Sequence, residues 1–329
     1  MNQQKNYIRL TAAILFTYIT LASSMYASER GGQTGAFTRL GLGADRVAMG
    51  DCGVALCNSS NNWFYNPASL YLLQDYTASF GYRFMSLDRK IMYAGFAMPV
   101  EPKAGLAFGI IRAGVDDIDI RDSAGNHIYM MDQSDNLIYG SFALNPKSGF
   151  AFGISIKWLI NNVPDVLKND KNIFGTGVAI DLGLQLELIK SLRLGFQARN
   201  LVGRFAWDTS KLWKDDLGTK EDELPKSIYF GAAYDPVKDF TITSDVVSYT
   251  GDSGSESESS EVHFGAEYRY ELNDQYRFAL RGGWNGKTPT FGFGLKMKLK
   301  DVIARMDYAF YIEDIAPGSA HLIGWVFEF

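Results

Sequence analysis

The sequence predicts an all-β protein, a transmembrane antiparallel β-barrel of about 14 strands with an N-terminal segment folded into its lumen as a hatch. Three observations carry this: a composition that favours strands, period-two stretches long enough to cross a bilayer, and connections that alternate between short and long. Of 329 residues, 47% are hydrophobic, 14% are aromatic and 33 are Gly, a mixture suited to strands and tight turns. A mean hydropathy of -0.10 beside that apolar fraction excludes a disordered chain. After residue 27 no apolar run approaches the roughly 20 residues of a membrane helix, which excludes a polytopic helical protein.

Residues 1–27 have the layout of a secretory signal. Lys5 and Arg9 precede the apolar stretch from Leu10 to Leu21, and small residues follow at Ala22, Ser23, Ser24 and Ala27. Cleavage is expected near Ala27; an uncleaved anchor is the weaker reading, because the apolar core is short and the small-residue exit is well formed. No Cys stands at the exit, so lipid attachment is not indicated. Without this segment 30 basic residues face 37 acidic ones, a net charge of -7, which argues against a nucleic-acid partner. Export would bring Cys52 and Cys57 into an oxidising compartment, yet their spacing joins them only across a turn. Two small buried residues is the simpler reading.

Residues 28–74 are expected to form the hatch and residues 75–329 the barrel wall. The strands are read near residues 75–85, 90–99, 103–113, 135–144, 148–160, 174–187, 190–201, 226–234, 238–249, 260–271, 274–284, 289–299, 301–312 and 318–329. In one of them Phe150, Phe152, Ile154, Ile156 and Trp158 alternate with Ala151, Gly153, Ser155 and Lys157. Soluble sandwich strands average about 5 to 6 residues and transmembrane strands need about 9 to 11, so the lengths favour the membrane. A soluble sandwich explains the alternation but not those lengths.

From the second strand onward the links run short and long in turn. Val100–Lys103 is short and Gly114–Ser134 long; Leu201–Pro225 is the longest, and Thr250–Ser259 is long and polar. This rhythm suits an outer-membrane barrel with its turns in the periplasm, and an even strand count returns both termini there. Polar residues on the second face, Asp181, Glu267, Arg269, Arg277, Arg281, Arg305 and Asp307, are assigned to a lumenal network, since a charge facing lipid costs about 2–4 kcal/mol. The chain ends Trp325-Val326-Phe327-Glu328-Phe329, which looks like the terminal signal read by the bacterial barrel assembly machinery. The expected partners are therefore that machinery and outer-membrane lipid.

Two motifs lie before the first strand: Gly43-Ala44 leading through Arg46 to Ala48-Met49-Gly50, and Trp63 followed by Asn66-Pro67-Ala68-Ser69-Leu70. Together they resemble the PorV/PorQ family of outer-membrane proteins, relatives of the FadL transporters. Ser69 stands where the family has Gly, and Asn58 to Asn62 replaces an acidic stretch. The resemblance implies a 14-stranded barrel with a lumenal hatch and a role in type IX protein secretion, with secreted proteins as cargo. The FadL branch implies the alternative, a channel for hydrophobic small molecules. That alternative calls for an apolar pocket between hatch and wall, with Phe37, Trp63, Phe64 and Phe142 as its candidate lining.

On residue chemistry alone, Asn66-Pro67 fixes a turn, and Phe37, Leu40, Met49, Trp63, Phe64 and Tyr65 are too apolar for a linker left in water. Either Arg39 or Arg46 is expected to pair with a wall carboxylate among Asp181, Glu187, Glu267 and Asp307. Catalysis is not indicated: His127, His263 and His321 lie in no catalytic motif, and no cofactor or metal is called for. His263 with Glu261 and Glu267 reads as a structural ion network, and Asp116, Asp117, Asp119, Asp215 and Asp216 as a solvated acidic rim.

Overall fold

The structure is a computed structural model that describes residues 35–57, 61–163, 173–208, 219–250, 259–313 and 318–329. The signal at residues 1–27, the Ser/Glu tip at residues 251–258, and Asp215 and Asp216 lie outside the described residues.

The period-two stretches form β1 (Thr77–Phe84), β2 (Arg89–Val100), β3 (Ala104–Arg121), β4 (His127–Lys147), β5 (Phe150–Val163), β6 (Ile173–Ile189), β7 (Leu192–Asp208), β8 (Thr219–Glu223), β9 (Ser227–Val237), β10 (Phe240–Tyr249), β11 (Ser259–Glu271), β12 (Tyr276–Trp284), β13 (Pro289–Leu299), β14 (Val302–Ile312) and β15 (Ser319–Glu328). Neighbours pair antiparallel, and β1 pairs with β15 from Thr77↔Glu328 to Phe84↔His321, so the sheet closes as a 14-stranded barrel. The fifteenth strand, β8, is an outlier: it pairs only with the far part of β7, whose first part pairs with β9. Closure leaves no open edge in the 14-stranded ring itself, which is what a sheet in lipid requires.

Two expected loops contain strand. Between residues 114 and 134 the ladder continues through Ile118↔Met131 and Ile120↔Tyr129, because apolar cross-strand pairs resume after a bulge where Asp117 takes φ 55°. Likewise β7 runs on to Asp208 and β8 pairs back onto it, with Phe205 buried beneath.

The faces separate by parity. Along β5 the exposed row is Phe150, Phe152, Ile154, Ile156 and Trp158, while Ala151, Ser155, Lys157 and Leu159 are buried. An apolar row outside and small or polar residues inside is the arrangement that lipid imposes.

Inside the ring lies the N-terminal segment: a 3-10 turn at Ala36–Arg39, helical turns at Ala44–Val47 and Asn62–Tyr65, and a 3-10 turn at Pro67–Leu72. Asn66 begins the last of these by accepting from the Ala68 N–H, with Pro67 at its first position, where the missing N–H costs nothing. Wall glycines let the segment approach closely. A Cβ on Gly95 or Gly109 would meet the Trp63 ring at 2.7 and 2.4 Å, one on Gly195 the Val54 carbonyl at 2.1 Å, and one on Gly283 the Gly50 nitrogen at 2.2 Å. At Met49, Gly50, Val54, Trp63 and Leu70 the segment therefore rests on the glycine backbone of the wall.

Candidate functional site

The segment is bound to the wall through its backbone. Asp245 of β10 accepts from the N–H groups of Gly53 and Val54 at 2.8 and 3.1 Å. Thr290 accepts from the Gly50 N–H at 2.9 Å and donates to the Ala48 carbonyl at 3.1 Å. Asn66 donates through Nδ2 to the carbonyls of Val54 and Leu184 at 2.8 and 2.9 Å. Arg199 donates to the Phe64 carbonyl at 3.1 Å, with its guanidinium 4.4 Å from the Tyr229 ring centroid and 4.7 Å from that of Phe64. Arg83 of β1 donates to the Gly41 carbonyl. Buried backbone groups that would otherwise lack partners are thus satisfied by wall side chains.

Part of the polar set gathers into one network. Arg281 reaches Glu267 at 2.6 Å and Asp307 at 2.7 Å; Arg305 reaches Asp307 at 2.7 Å and Asp45 of the segment at 3.3 Å; Arg269 reaches Glu267 at 2.7 Å. Asp181 belongs to a second group: it pairs with Lys157 at 2.6 Å and accepts from the Asn200 N–H at 2.9 Å. Asn200 takes φ 55° where the β6–β7 register shifts. Arg277 joins neither group. It sits beside the turn after β11, where it pairs with Glu271 at 3.1 Å and both side chains are exposed.

Among the described residues, one ion pair between segment and wall has the wall supplying Arg305 and the segment Asp45, the reverse of the polarity expected for Arg39 or Arg46. Arg46 is buried and its Nε donates to Asn62 at 3.1 Å, 3.9 Å from Asp45. Tyr65 donates to Asp51 at 2.5 Å and accepts from the Leu42 N–H at 2.9 Å. Asp45, Arg83, Asp245 and Thr290 were not singled out from the sequence, and Tyr65 was named only for its apolar ring. Asp245 and Thr290 had a usable signal, being polar residues on the inward parity of their strands.

Both cysteines are free, Cys52 buried and Cys57 partly so. Burial pushes the Cys57 thiol up to about 11 and holds the Cys52 thiol well above its ordinary value.

Above the segment, at the long-loop end of the barrel, is a cavity of about 910 Å³. Phe37, Leu40, Val47, Met85, Ile91, Tyr249 and Tyr311 contribute apolar surface, and Arg39, Arg83, Asp51, Asp135, Glu261 and His263 are among its charged and titratable groups. The segment's first described residues line this mouth, whereas Tyr76 and Phe329 exchange backbone hydrogen bonds at the other end. Among the described residues, the four expected to line one pocket, Phe37, Trp63, Phe64 and Phe142, are divided among the cavity, the core and the outer face. Only Phe37 lines the cavity; Trp63 and Phe64 pack in the core below, Trp63 with its ring 5.1 Å from that of Tyr139. Phe142 faces outward at 37% exposure, because Ser141 and Ala143 on either side take the inward parity.

No protein-family model and no curated protein matches the chain. Solved structures do. The toluene transporter TbuX of Ralstonia pickettii aligns with a TM-score of 0.57 at 14% identity, over 88% of this chain and 97% of that one. The toluene transporter TodX of Pseudomonas putida gives 0.58 at 12% identity over 88% and 97%, and a Pseudomonas aeruginosa FadL homologue 0.52 at 9% over 87% and 96%. At these identities the likeness establishes that the chain has the fold of the FadL-like barrels.

Proposed function

We propose that the protein is a non-enzymatic outer-membrane channel that admits small hydrophobic molecules through the cavity at its long-loop end. The observation that carries this reading is that cavity, with its aromatic and aliphatic lining and a floor made by the N-terminal segment. The shared fold with proteins named as toluene transporters supports it. The PorV/PorQ motifs do not separate the two readings, because Gly50, Trp63, Asn66 and Pro67 are all engaged in packing the segment against the wall. The preference therefore moves from protein secretion to hydrophobic passage. The aromatic final strand supports recognition by the barrel assembly machinery, and the apolar outer rows support contact with membrane lipid.

The test is uptake of labelled toluene by cells with and without the protein, beside a variant that puts a charge on the cavity wall, Met85→Glu. Faster uptake with the native chain and a several-fold loss in the variant are expected. Uptake that is the same with and without the protein would refute the reading, and secreted proteins co-purifying from native membrane would restore the secretion one.

A further inference from the structure

His263 lies on the inward face of β11 directly across from Asp245 of β10, the residue that holds the Gly53 and Val54 amides. The ring is buried, and neither Nδ1 nor Nε2 has a hydrogen-bond partner. Glu261, two residues along the same strand, has Oε2 3.7 Å from Nε2; Asp245 lies across the ladder; and Asp51 of the segment lines the same cavity as the ring. Lys287 from the β12–β13 turn and Arg39 from the segment, stacked on Tyr249 of β10, line the same cavity. Neither protonation state finds a hydrogen-bond partner at the ring nitrogens, but only the imidazolium gains attraction from the neighbouring carboxylates in a place that water screens poorly. Because both nitrogens are occluded, the ring is not a handle for a molecule in the cavity.

We propose that His263 is a proton-operated clasp: charged, it ties Asp51 of the segment and Asp245 of the wall together, and neutral, it leaves their anions unopposed and loosens the segment at residues 50–54. The sign follows from the charges. The grip is complete on the acid side, where the ring is protonated, and is lost as pH rises and the ring gives up its proton. The inference goes beyond the proposed passage and holds whatever molecule passes, so failure of the toluene assay leaves it intact.

The experiment is amide hydrogen exchange of a peptide spanning residues 50–57 in the detergent-solubilised full chain, at about pH 5.5 and about pH 8.5 and corrected for intrinsic exchange. A β5 peptide serves as reference for an intact wall. In the native chain protection of residues 50–57 should fall about tenfold at the higher pH while β5 is unchanged. His263→Lys, which keeps a cation throughout, should remain protected at both values, and His263→Gln should be weakly protected at both. Equal protection of the native chain at the two values overturns the proposal. So does a native-like pH response in His263→Gln, which would assign the effect to the carboxyls alone. If His263→Gln does not form a barrel, the native chain against His263→Lys decides: the same pH response in both overturns the clasp.

Discussion

Arg305 ties the segment to the wall, because it reaches Asp307 of the wall and Asp45 of the segment together from a mostly buried position. Removing one member of such a buried pair costs about 3–5 kcal/mol, since the remaining charge stays desolvated. Arg305→Ala should therefore speed proteolysis of the segment around Ala44–Val47 and leave heat-modifiable migration in place; unchanged proteolysis would move the attachment to Asp245 and Thr290. The cysteines give a second check on burial. With the Cys57 thiol pushed up to about 11 and the buried Cys52 thiol raised well above its ordinary value, little thiolate exists at neutral pH, so maleimide should leave Cys52 and Cys57 of the intact barrel unlabelled and modify both after denaturation. Rapid labelling of the native protein would show that the segment is not packed as described.

At the scale of the strand, neighbouring positions answer to opposite solvents. Ile156 is 57% exposed on the lipid row and Lys157 is buried beside Asp181, one residue apart in β5. Ile156→Lys should cost about 2–4 kcal/mol of barrel stability in lipid, measured by unfolding from vesicles. A neutral result would put that face in water. The glycines on the inner face set a different limit. Gly283→Val places a Cβ where the Gly50 nitrogen already lies, 2.2 Å away, so overpacking of about 1–3 kcal/mol should fall on the segment and lower its exchange protection, with the wall less affected. Equal loss in wall and segment would mean that β12 itself needs the glycine.

For the whole molecule, closure depends on the first and last strands meeting. Tyr76 and Phe329 exchange two backbone hydrogen bonds of 3.0 Å, and Phe80 stacks on Trp325 and Phe327 on the lipid side of that seam. Deleting Phe329 should therefore lower the yield of heat-modifiable barrel far more than deleting Ser257 from the Ser/Glu stretch. Equal yields would make the aromatic ending incidental to assembly.

Strand existence, parity and length were legible in the residues, because side-chain period two is a local property and lipid demands an apolar member at every second position. Phe150 to Trp158 needed no partner to be read, and the ends of most strands fall within a few residues of the expected ones. What lies beyond the rim was less legible: the β3–β4 hairpin and the β7–β8 pair depend on which residues meet across the ladder, as Ile118 meets Met131. Within the site, the charged residues expected in the lumen were visible as inward carboxylates and arginines, but their partners were not. Arg305 finds Asp45 across a separation of 260 residues, and Phe142 misses the cavity by a single step of parity. Local alternation is written in the order of the residues, whereas the choice of partner inside a closed barrel follows from where the segment lies on the ring of wall glycines, and only the tertiary structure decides that.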